Sequence, residues 1–111
     1  MSSASAPKGD PFDALGDQHR RQILRLLARS DRSVAEIAET LPISRPAVSR
    51  HLRVLKEAGL VGERPIGTRR IYHLEAEGMV TIQRYLGQVW GEAAARFRLV
   101  AENTERRDRN D

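Results

Sequence analysis

The stretch from Ser44 to Lys56 reads S-R-P-A-V-S-R-H-L-R-V-L-K and has the pattern of an amphipathic helix. At 100° per residue, one face of this helix is apolar and the opposite face is polar and basic. The apolar face carries Ala47, Val48, Leu52, Val54, Leu55 and Ala58. The other face carries Arg45, Ser49, Arg50, Arg53 and Lys56. Such a helix suits the major groove of DNA, where arginine bonds guanine bidentately, although an ordinary solvated helix shows the same pattern.

The positive charge of the chain is concentrated around this helix. The 111 residues carry a net charge of +4. Residues 44–73 contain seven basic and two acidic residues, a local net charge of +5, whereas the remaining residues include twelve basic and thirteen acidic ones, a net charge of −1. A local basic excess is typical of a surface that binds a polyanion. A membrane surface is the alternative polyanion, but the basic stretch lacks the bulky aromatic face of an interfacial helix.

Cysteine content and hydropathy limit the classes of protein to which this chain can belong. The chain contains no cysteine, which excludes disulfides, thiolate metal sites and thiol redox switching. No apolar run resembles a signal peptide or could span a bilayer, so we expect a cytoplasmic protein that does not bind membranes. We predict one domain over residues 11–103. It follows a disordered lead-in over residues 1–10 and precedes a charged, frayed tail over residues 104–111.

Two helices are predicted near the start of the domain. Phe12 and Leu15 indicate a short first helix that stops at Gly16. Asp17 is a good N-cap for the second helix, whose apolar residues form one stripe. That stripe consists of Ile23, Leu24 and Leu27.

The next two helices form a helix-turn-helix. Ser33 and Glu36 make a capping box, and the helix that it opens ends before Pro42, because proline disfavours helical geometry in the preceding residue. Ser44 caps the basic helix, and Pro46 is tolerated in its first turn. Two short helices joined by a tight turn, the second basic on its outer face, are typical of DNA-binding proteins. The apolar residues of the first of these helices are Val34, Ile37, Ala38 and Leu41.

A β-hairpin is predicted after the basic helix. Gly59 supplies the residue that follows the helix, and strands over residues 60–64 and 69–74 flank the turn P-I-G-T. Arginines cluster near the tip of this hairpin, where a wing contacts backbone phosphate or the minor groove, although a charged tip can also be merely solvated. These arginines are Arg64, Arg69 and Arg70.

A long helix is predicted from residue 75 or 77 to about residue 103, with apolar residues at alternating spacings of three and four. A helix of about 28 residues spans about 40 Å, which is more than this small core needs. We therefore predict that its apolar seam and the first helix form a homodimer interface, the alternative being that the seam packs wholly on its own domain. The predicted interface residues are Phe12, Leu15, Met79, Ile82, Leu86, Val89, Trp90, Ala93 and Phe97.

The order of elements predicts a winged helix-turn-helix, mostly α with a small β-hairpin. Three stretches carry a more specific likeness: F-D-A-L-G-D-Q-H-R-R-Q-I-L-R-L-L from Phe12, P-I-S-R-P-A-V-S-R-H-L-R-V-L-K-E-A-G-L-V from Pro42, and G-T-R-R-I-Y-H-L from Gly67. Together they resemble the ArsR/SmtB family of bacterial repressors. The resemblance implies a homodimer whose basic helix binds the major groove of a palindromic operator. It also implies repression by blocking promoter access, often at the repressor's own operon.

The metal sites of the family do not carry over to this sequence. The namesakes bind metals through a cysteine pair on the helix after the capping box, or through Asp, His and Glu ligands on the last helix. Here the first of these helices has no cysteine and the last has no histidine. His19, His51 and His73 lie on different elements, and His51 falls on the apolar face of its helix, where a packed, hydrogen-bonded histidine is expected. We therefore predict no metal site, no cofactor and no metal sensing. A site shared between subunits, or an effector that is not a metal, stays open.

The sequence thus predicts a dimeric repressor whose partner is double-stranded DNA. On the basic helix, the predicted DNA-binding residues are Ser44, Arg45, Ser49, Arg50, Arg53 and Lys56. The alternative is a winged-helix module for protein interactions, but such modules usually lose the arginines that this chain keeps. An enzyme is not expected, because no paired carboxylates, nucleophile–base pair or glycine-rich phosphate loop occurs at a usable spacing.

Overall fold

A computed structural model of the chain describes the backbone of residues 8–110 and the side chains of residues 8–98, 101 and 102. Within this part, helices and short strands follow one another in the order of the predicted winged helix-turn-helix. They are α1 (Pro11–Ala14), α2 (Gln18–Arg29), β1 (Arg32–Ser33), α3 (Val34–Thr40), α4 (Arg45–Glu57), β2 (Val61–Ile66), β3 (Arg69–Leu74) and α5 (Ala76–Asn110).

Side-chain caps begin the helices at the predicted residues. The carboxylate of Asp17 accepts the backbone N–H of Arg20 at 3.1 Å and opens α2. At α3, the hydroxyl of Ser33 accepts the N–H of Glu36 at 3.2 Å, and the Glu36 carboxylate accepts the N–H of Ser33 at 2.8 Å. These bonds satisfy N–H groups that have no partner inside a helix, which confirms both the cap at residue 17 and the capping box.

The chain forms two compact units, Met1–Thr81 and Ile82–Asp111. In the first unit, side chains from α2, α3 and α4 and from the start of the sheet make one apolar core. The largest fully buried side chains in this core are Ile23, Ile37, Val48, Leu52, Leu55, Leu60 and Val61. In the second unit, Ile82 is buried and most of the described side chains that follow it along α5 are exposed.

The end of α4 is a tight turn that requires glycine. Gly59 has φ +73° and donates its N–H to the carbonyl of Lys56, while Leu60 donates to the carbonyl of Leu55. This is the Schellman arrangement, and it confirms Gly59 as the residue after the helix. The start of α5 packs directly on this turn, since Gly78 donates to the Gly59 carbonyl at 2.7 Å. A Cβ at Gly78 would lie 2.5 Å from the Ala58 carbonyl oxygen, so a side chain there is excluded.

The sheet has three antiparallel strands in the order β1-β3-β2, whereas the sequence predicted only a two-stranded hairpin. The hairpin itself is confirmed, with a register from Val61↔Leu74 to Ile66↔Arg69. Its first strand is Val61–Ile66 instead of residues 60–64, because Pro65 and Ile66, predicted as part of the turn, pair with Arg70 and Arg69. A two-residue loop connects its strands, and only the first loop residue, Gly67, has a positive φ, +63°, as in a type II′ turn. β1 was missed because two residues that pair with β3 alone leave no alternating pattern in the sequence.

The end of α5 and the exposure of Val54 also differ from the prediction. The backbone of α5 continues to Asn110, past the predicted end near residue 103 and through most of the predicted tail. Val54, which was placed on the apolar face of the basic helix, is 37% exposed because it lies at the edge of that face. Residues 1–7 of the predicted lead-in lie outside the described residues, but Gly9 donates its N–H to the Glu57 carbonyl at 2.8 Å and Asp10 caps α1.

Candidate nucleic-acid interface

The first turn of α4 is held by its own serine cap. The hydroxyl of Ser44 accepts the backbone N–H of Ala47 at 3.2 Å, and Pro46 occupies a position where its missing N–H costs nothing. Val48, Leu52 and Leu55 bury the inner face of the helix. The outer face is exposed along its whole length, at the predicted positions Ser44, Arg45, Ser49, Arg50, Arg53 and Lys56.

The three arginines of this outer face are not engaged by acidic side chains. Among the residues that the structure describes, no carboxylate forms an ion pair with Arg45, Arg50 or Arg53. Guanidinium groups in this state keep all their donors for an incoming ligand, and their planar geometry matches a guanine edge or a phosphate.

A cleft of about 290 Å³ separates the outer face of α4 from the sheet. Ser49, Arg53 and Lys56 line it from the helix side. Glu63, Arg70 and Tyr72 line it from β2 and β3. The outer face of α4 and the wing, defined here as residues 61–74, therefore share one concave surface.

The predicted cluster of wing arginines is divided between two faces of the hairpin, although Arg69 and Arg70 both line a second cavity, of about 430 Å³, together with Ser49 of α4. Because successive side chains of a strand point to opposite faces, Arg69 and Arg70 lie on different faces of the hairpin. The register places Arg64 opposite Ile71, on the face of Arg69. Only Arg70 shares a face with Glu63 and Tyr72 and lines the cleft beside α4.

Glu63 is the acidic side chain of this cleft and offsets part of its positive charge. Its carboxylate pairs with the Arg70 guanidinium and lies 3.6 Å from the ammonium nitrogen of Lys56. Burial alone raises the pKa of Glu63, but hydrogen bonds from Tyr72 and Arg70 and the charge of Lys56 outweigh it, so that the pKa lies below its usual value. Burial, together with the same carboxylate, raises the pKa of Tyr72. Glu63 is thus an anion at neutral pH and faces Arg70 and Lys56.

The other two wing arginines are anchored elsewhere in the domain. Arg64 donates to the carboxylate of Asp31 at 2.9 Å. Arg69 donates to the Ser33 hydroxyl at 2.9 Å and lies 3.2 Å from the Glu36 carboxylate, so it holds the wing against the capping box of α3. These acidic partners could not be predicted from the sequence, because nothing local links residues so far apart along the chain.

His51 lies on the inner side of α4, as predicted, and the structure adds an unexpected neighbour. Its ring is 5.7 Å from the ring of His19, centroid to centroid, and its Nδ1 accepts from the Arg20 guanidinium at 3.5 Å. Burial lowers the pKa of His51 and outweighs the opposing charge of Asp17. No helical spacing in the sequence pairs two histidines, but packing of α2 against α4 brings His19 and His51 together. His73 lies on β3 and pairs with Glu75 at 2.8 Å.

Most of the predicted dimer residues have exposed apolar side chains. Trp90 and Phe97 are the most exposed, at 62% and 69%. Leu15 and Ala93 are half-buried, whereas Ile82 is already buried in the single chain and cannot contribute much new surface to a partner. The remaining exposed members are Phe12, Met79, Leu86 and Val89. Tyr85, which is not among the predicted interface residues, is exposed as well.

Comparisons with known proteins match this architecture. Residues 17–63 match the family described as bacterial regulatory protein, arsR family. The HTH-type transcriptional regulator Rv2034 of Mycobacterium tuberculosis is 48% identical over 82 residues, which cover 74% of this chain and 77% of that protein. The chain belongs to the arsR family.

Two further relatives describe the range of this family. The transcriptional repressor SdpR of Bacillus subtilis is 40% identical over 63 residues, which cover 57% of this chain and 70% of that protein. A solution structure of a homodimeric winged helix-turn-helix DNA-binding domain from Mycobacterium bovis aligns with a TM-score of 0.57 and 32% identity, over 78% of each chain.

Family membership confirms the regulator class and the winged helix-turn-helix fold. The relatives are transcriptional regulators, so the protein is not an enzyme. In the described part of the chain, no helix is both long and apolar enough to cross a membrane.

Proposed function

We propose that the protein is a dimeric, sequence-specific repressor that binds a palindromic DNA operator, with its own promoter among its targets. α4 enters the major groove, and the wing contacts the flanking backbone or the minor groove. The observation that carries this proposal is the exposed outer face of α4, where Arg45, Arg50 and Arg53 have no carboxylate partner among the described residues. The Bacillus subtilis relative is named as a repressor, which supports the direction of regulation.

The residues of α4 divide into two roles by their position along the helix. Ser44 and Arg45 lie at its N-terminus, where the helix dipole and free N–H groups favour phosphate. Ser49 and Arg53 lie at the centre of the outer face and border the cleft to the wing, so they are best placed for base edges. Arg50 and Lys56 flank them and add charge to the same surface. The wing residues Arg64, Arg69 and Arg70 supply contacts that do not depend on base sequence.

A homodimer supplies the two-fold symmetry that a palindromic operator requires. The exposed apolar residues of α5 recur on one face, with Leu86, Val89, Trp90 and Phe97 more than a third exposed. Exposed aromatic and aliphatic side chains in a row are typical of a protein interface. The Mycobacterium bovis neighbour, which is described as homodimeric, supports this assignment.

DNA selection by the purified full-length protein tests the operator proposal. Sequences enriched from a random library should contain inverted repeats whose half-sites lie about one helical turn, or a multiple of it, apart. Their affinity should exceed that for random DNA by about a thousandfold or more at physiological salt. Equal affinity for enriched and random sequences would contradict base recognition and favour the alternative of a protein-interaction module.

Sedimentation of two matched variants tests the dimer. Leu86→Glu places a charge on the exposed apolar face of α5 and should give monomers that no longer bind the operator. Gln88→Glu adds the same charge about 200° away around the helix, so it should leave the dimer intact. If Leu86→Glu still sediments as a dimer, the interface is wrongly assigned.

Neither of the metal-ligand sets of the family namesakes is part of this proposal, because the chain has no cysteine and no histidine on α5. The proposed partner is chromosomal DNA, which places the protein in the cytoplasm.

A further inference from the structure

Asp17, His19 and His51 bring three metal-ligating groups together at the junction of α2 and α4. Each offers one ligand atom, and these atoms all lie within 4.8 Å of one another. The Asp17 carboxylate is 3.8 Å from Nδ1 of His51, and the rings of the two histidines are tilted by 46°. All three side chains are partly buried. None of them belongs to the outer face of α4 or to the wing.

We propose that Asp17, His19 and His51 form a binding site for a divalent transition-metal ion of the zinc, cobalt and nickel class. Two imidazole nitrogens and one carboxylate oxygen are the ligand types that these ions prefer. The three ligands contain no sulfur, which disfavours soft ions, and two of the three are nitrogen, which disfavours the hard ions Mg²⁺ and Ca²⁺. The present spacing is slightly wider than metal coordination requires, since metal–ligand bonds of about 2.0–2.2 Å bring ligand atoms to about 3.5 Å apart.

Arg20 is the group that a metal ion would displace. Its guanidinium donates to Nδ1 of His51 at 3.5 Å, and a bound cation would repel it. The same guanidinium also donates to the carbonyl of Ala14 at 2.8 Å and to the carbonyl of Asp13 at 3.3 Å, so it keeps two partners after leaving the histidine. Metal binding thus replaces one long hydrogen bond with metal coordination. Removal of the Arg20 charge should therefore increase the affinity for the metal ion.

A metal ion at this site would tie the recognition helix to α2. His51 is on α4 between the outer-face residues Arg50 and Arg53, whereas Asp17 and His19 begin α2. Drawing these ligands together changes how α4 is held, and we infer that occupancy changes the affinity of α4 for DNA. This regulatory step rests on the proposed function, but the metal site itself does not.

Metal titration of the full-length protein, stripped of metal by a chelator, tests the site without DNA. Co²⁺ is followed by its visible absorption, and Zn²⁺ by competition with a chromophoric indicator. We expect one ion per chain. His19→Gln, His51→Gln and Asp17→Asn should each weaken binding by about tenfold or more. Asp17→Asn is informative because asparagine caps a helix as well as aspartate, so α2 still begins at the same residue.

Two controls separate this site from general metal binding. His73→Gln removes the histidine that lies outside the cluster and should leave the affinity for Co²⁺ unchanged. Arg20→Gln should bind Co²⁺ more tightly than the wild type. Circular dichroism establishes that each variant is folded. If His51→Gln is not folded, His19→Gln and Asp17→Asn decide the test, because both positions lie at the start of α2.

Each outcome bears on one step of the proposal. Absence of Co²⁺ binding, or a loss caused by His73→Gln but not by His19→Gln, would overturn the metal site and leave the proposed repressor intact. Metal binding with the expected variant pattern supports the site, whether or not the protein binds DNA. Operator affinity measured with Zn²⁺ and with chelator then tests the regulatory step, which an unchanged affinity would overturn.

Discussion

The outer face of α4 and the wing are both rich in arginine, but they differ in whether these arginines form ion pairs within the domain. Arg45, Arg50 and Arg53 on α4 have no carboxylate partner among the described residues. In the wing, Arg64 pairs with Asp31, Arg69 with Glu36, and Arg70 with Glu63. The local charge of +5 in the sequence is therefore unevenly available, since the wing's share is largely neutralised within the domain.

This difference indicates a division of work between the two regions. When an arginine without an acidic partner contacts a phosphate or a base, the full free energy of that contact favours binding. A paired arginine must first give up its carboxylate acceptor, so part of that free energy is lost. Exposed ion pairs contribute only about 0.2–1 kcal/mol, so the exchange is possible, but it reduces the net gain. We therefore expect base recognition to depend on α4 and the wing to adjust affinity by smaller amounts.

The largest effect is expected from Arg53→Ala on α4. Loss of a bidentate base contact costs about 1–3 kcal/mol, about 5- to 150-fold in affinity, at one operator position. Fluorescence anisotropy with selected and random DNA measures both affinities. Arg25→Ala removes the same charge from an exposed position on α2 and should change neither by much. Equal losses on both DNAs would assign Arg53 to the backbone instead.

A smaller effect of opposite sign is expected from Glu63→Gln. This change removes the anion that faces Arg70 and Lys56, while glutamine can still accept from the Tyr72 hydroxyl. Binding to all DNA sequences should tighten by about fivefold at low salt, equivalent to about 1 kcal/mol. The matched control is Glu39→Gln, which removes an exposed carboxylate from α3. Unchanged affinity for Glu63→Gln would show that this carboxylate does not compete with phosphate.

Arg70→Ala should weaken binding to every sequence by about threefold and lower the salt slope by about one unit. The Arg70→Ala substitution should also be made in the Glu63→Gln background. There Arg70 has no acidic partner, so its removal should cost more than in the wild type. Identical losses in the two backgrounds would mean that the ion pair does not limit the contribution of Arg70.

The smallest effect is expected in the acid stability of the capping box that anchors Arg69. Hydrogen bonds from the Ser33 backbone and hydroxyl, aided by the charge of Arg69, hold the pKa of Glu36 below its usual value. The stabilisation from this charge is therefore complete above the ordinary glutamate pKa and is lost as the pH falls through the lowered one. Urea unfolding should show Glu36→Gln less stable than the wild type at pH 7, with the difference shrinking toward pH 3. A difference that stays constant over this range would contradict the assignment.

The sequence predicted the features that depend on neighbouring residues. The capping box at residues 33 and 36, the Ser44 cap and the glycine after α4 involve groups within five residues of one another, and each was found as predicted. The inner and outer faces of α4 were also correct apart from Val54, because periodicity alone defines a face. Such local features can be predicted from a single sequence, because their geometry depends little on the rest of the fold.

The predictions that failed concern features that depend on contacts between distant segments. β1 exists only through its pairing with β3, and the separation of Arg69 from Arg70 follows from the register of the sheet. Helical spacing rules for metal ligands could not find the Asp17–His19–His51 cluster, because its members come from two helices that only packing brings together.

For this protein, the sequence by itself determined the order of the helices, the basic outer face of α4 and the kinship that the matched relatives bear out. These follow from side-chain periodicity and capping, which act over a few residues. Only the tertiary structure decided which arginines are left without an acidic partner and which histidines meet. Charge and coordination depend on distances in space, and those distances are set by the packing of α2, α3, α4 and the sheet.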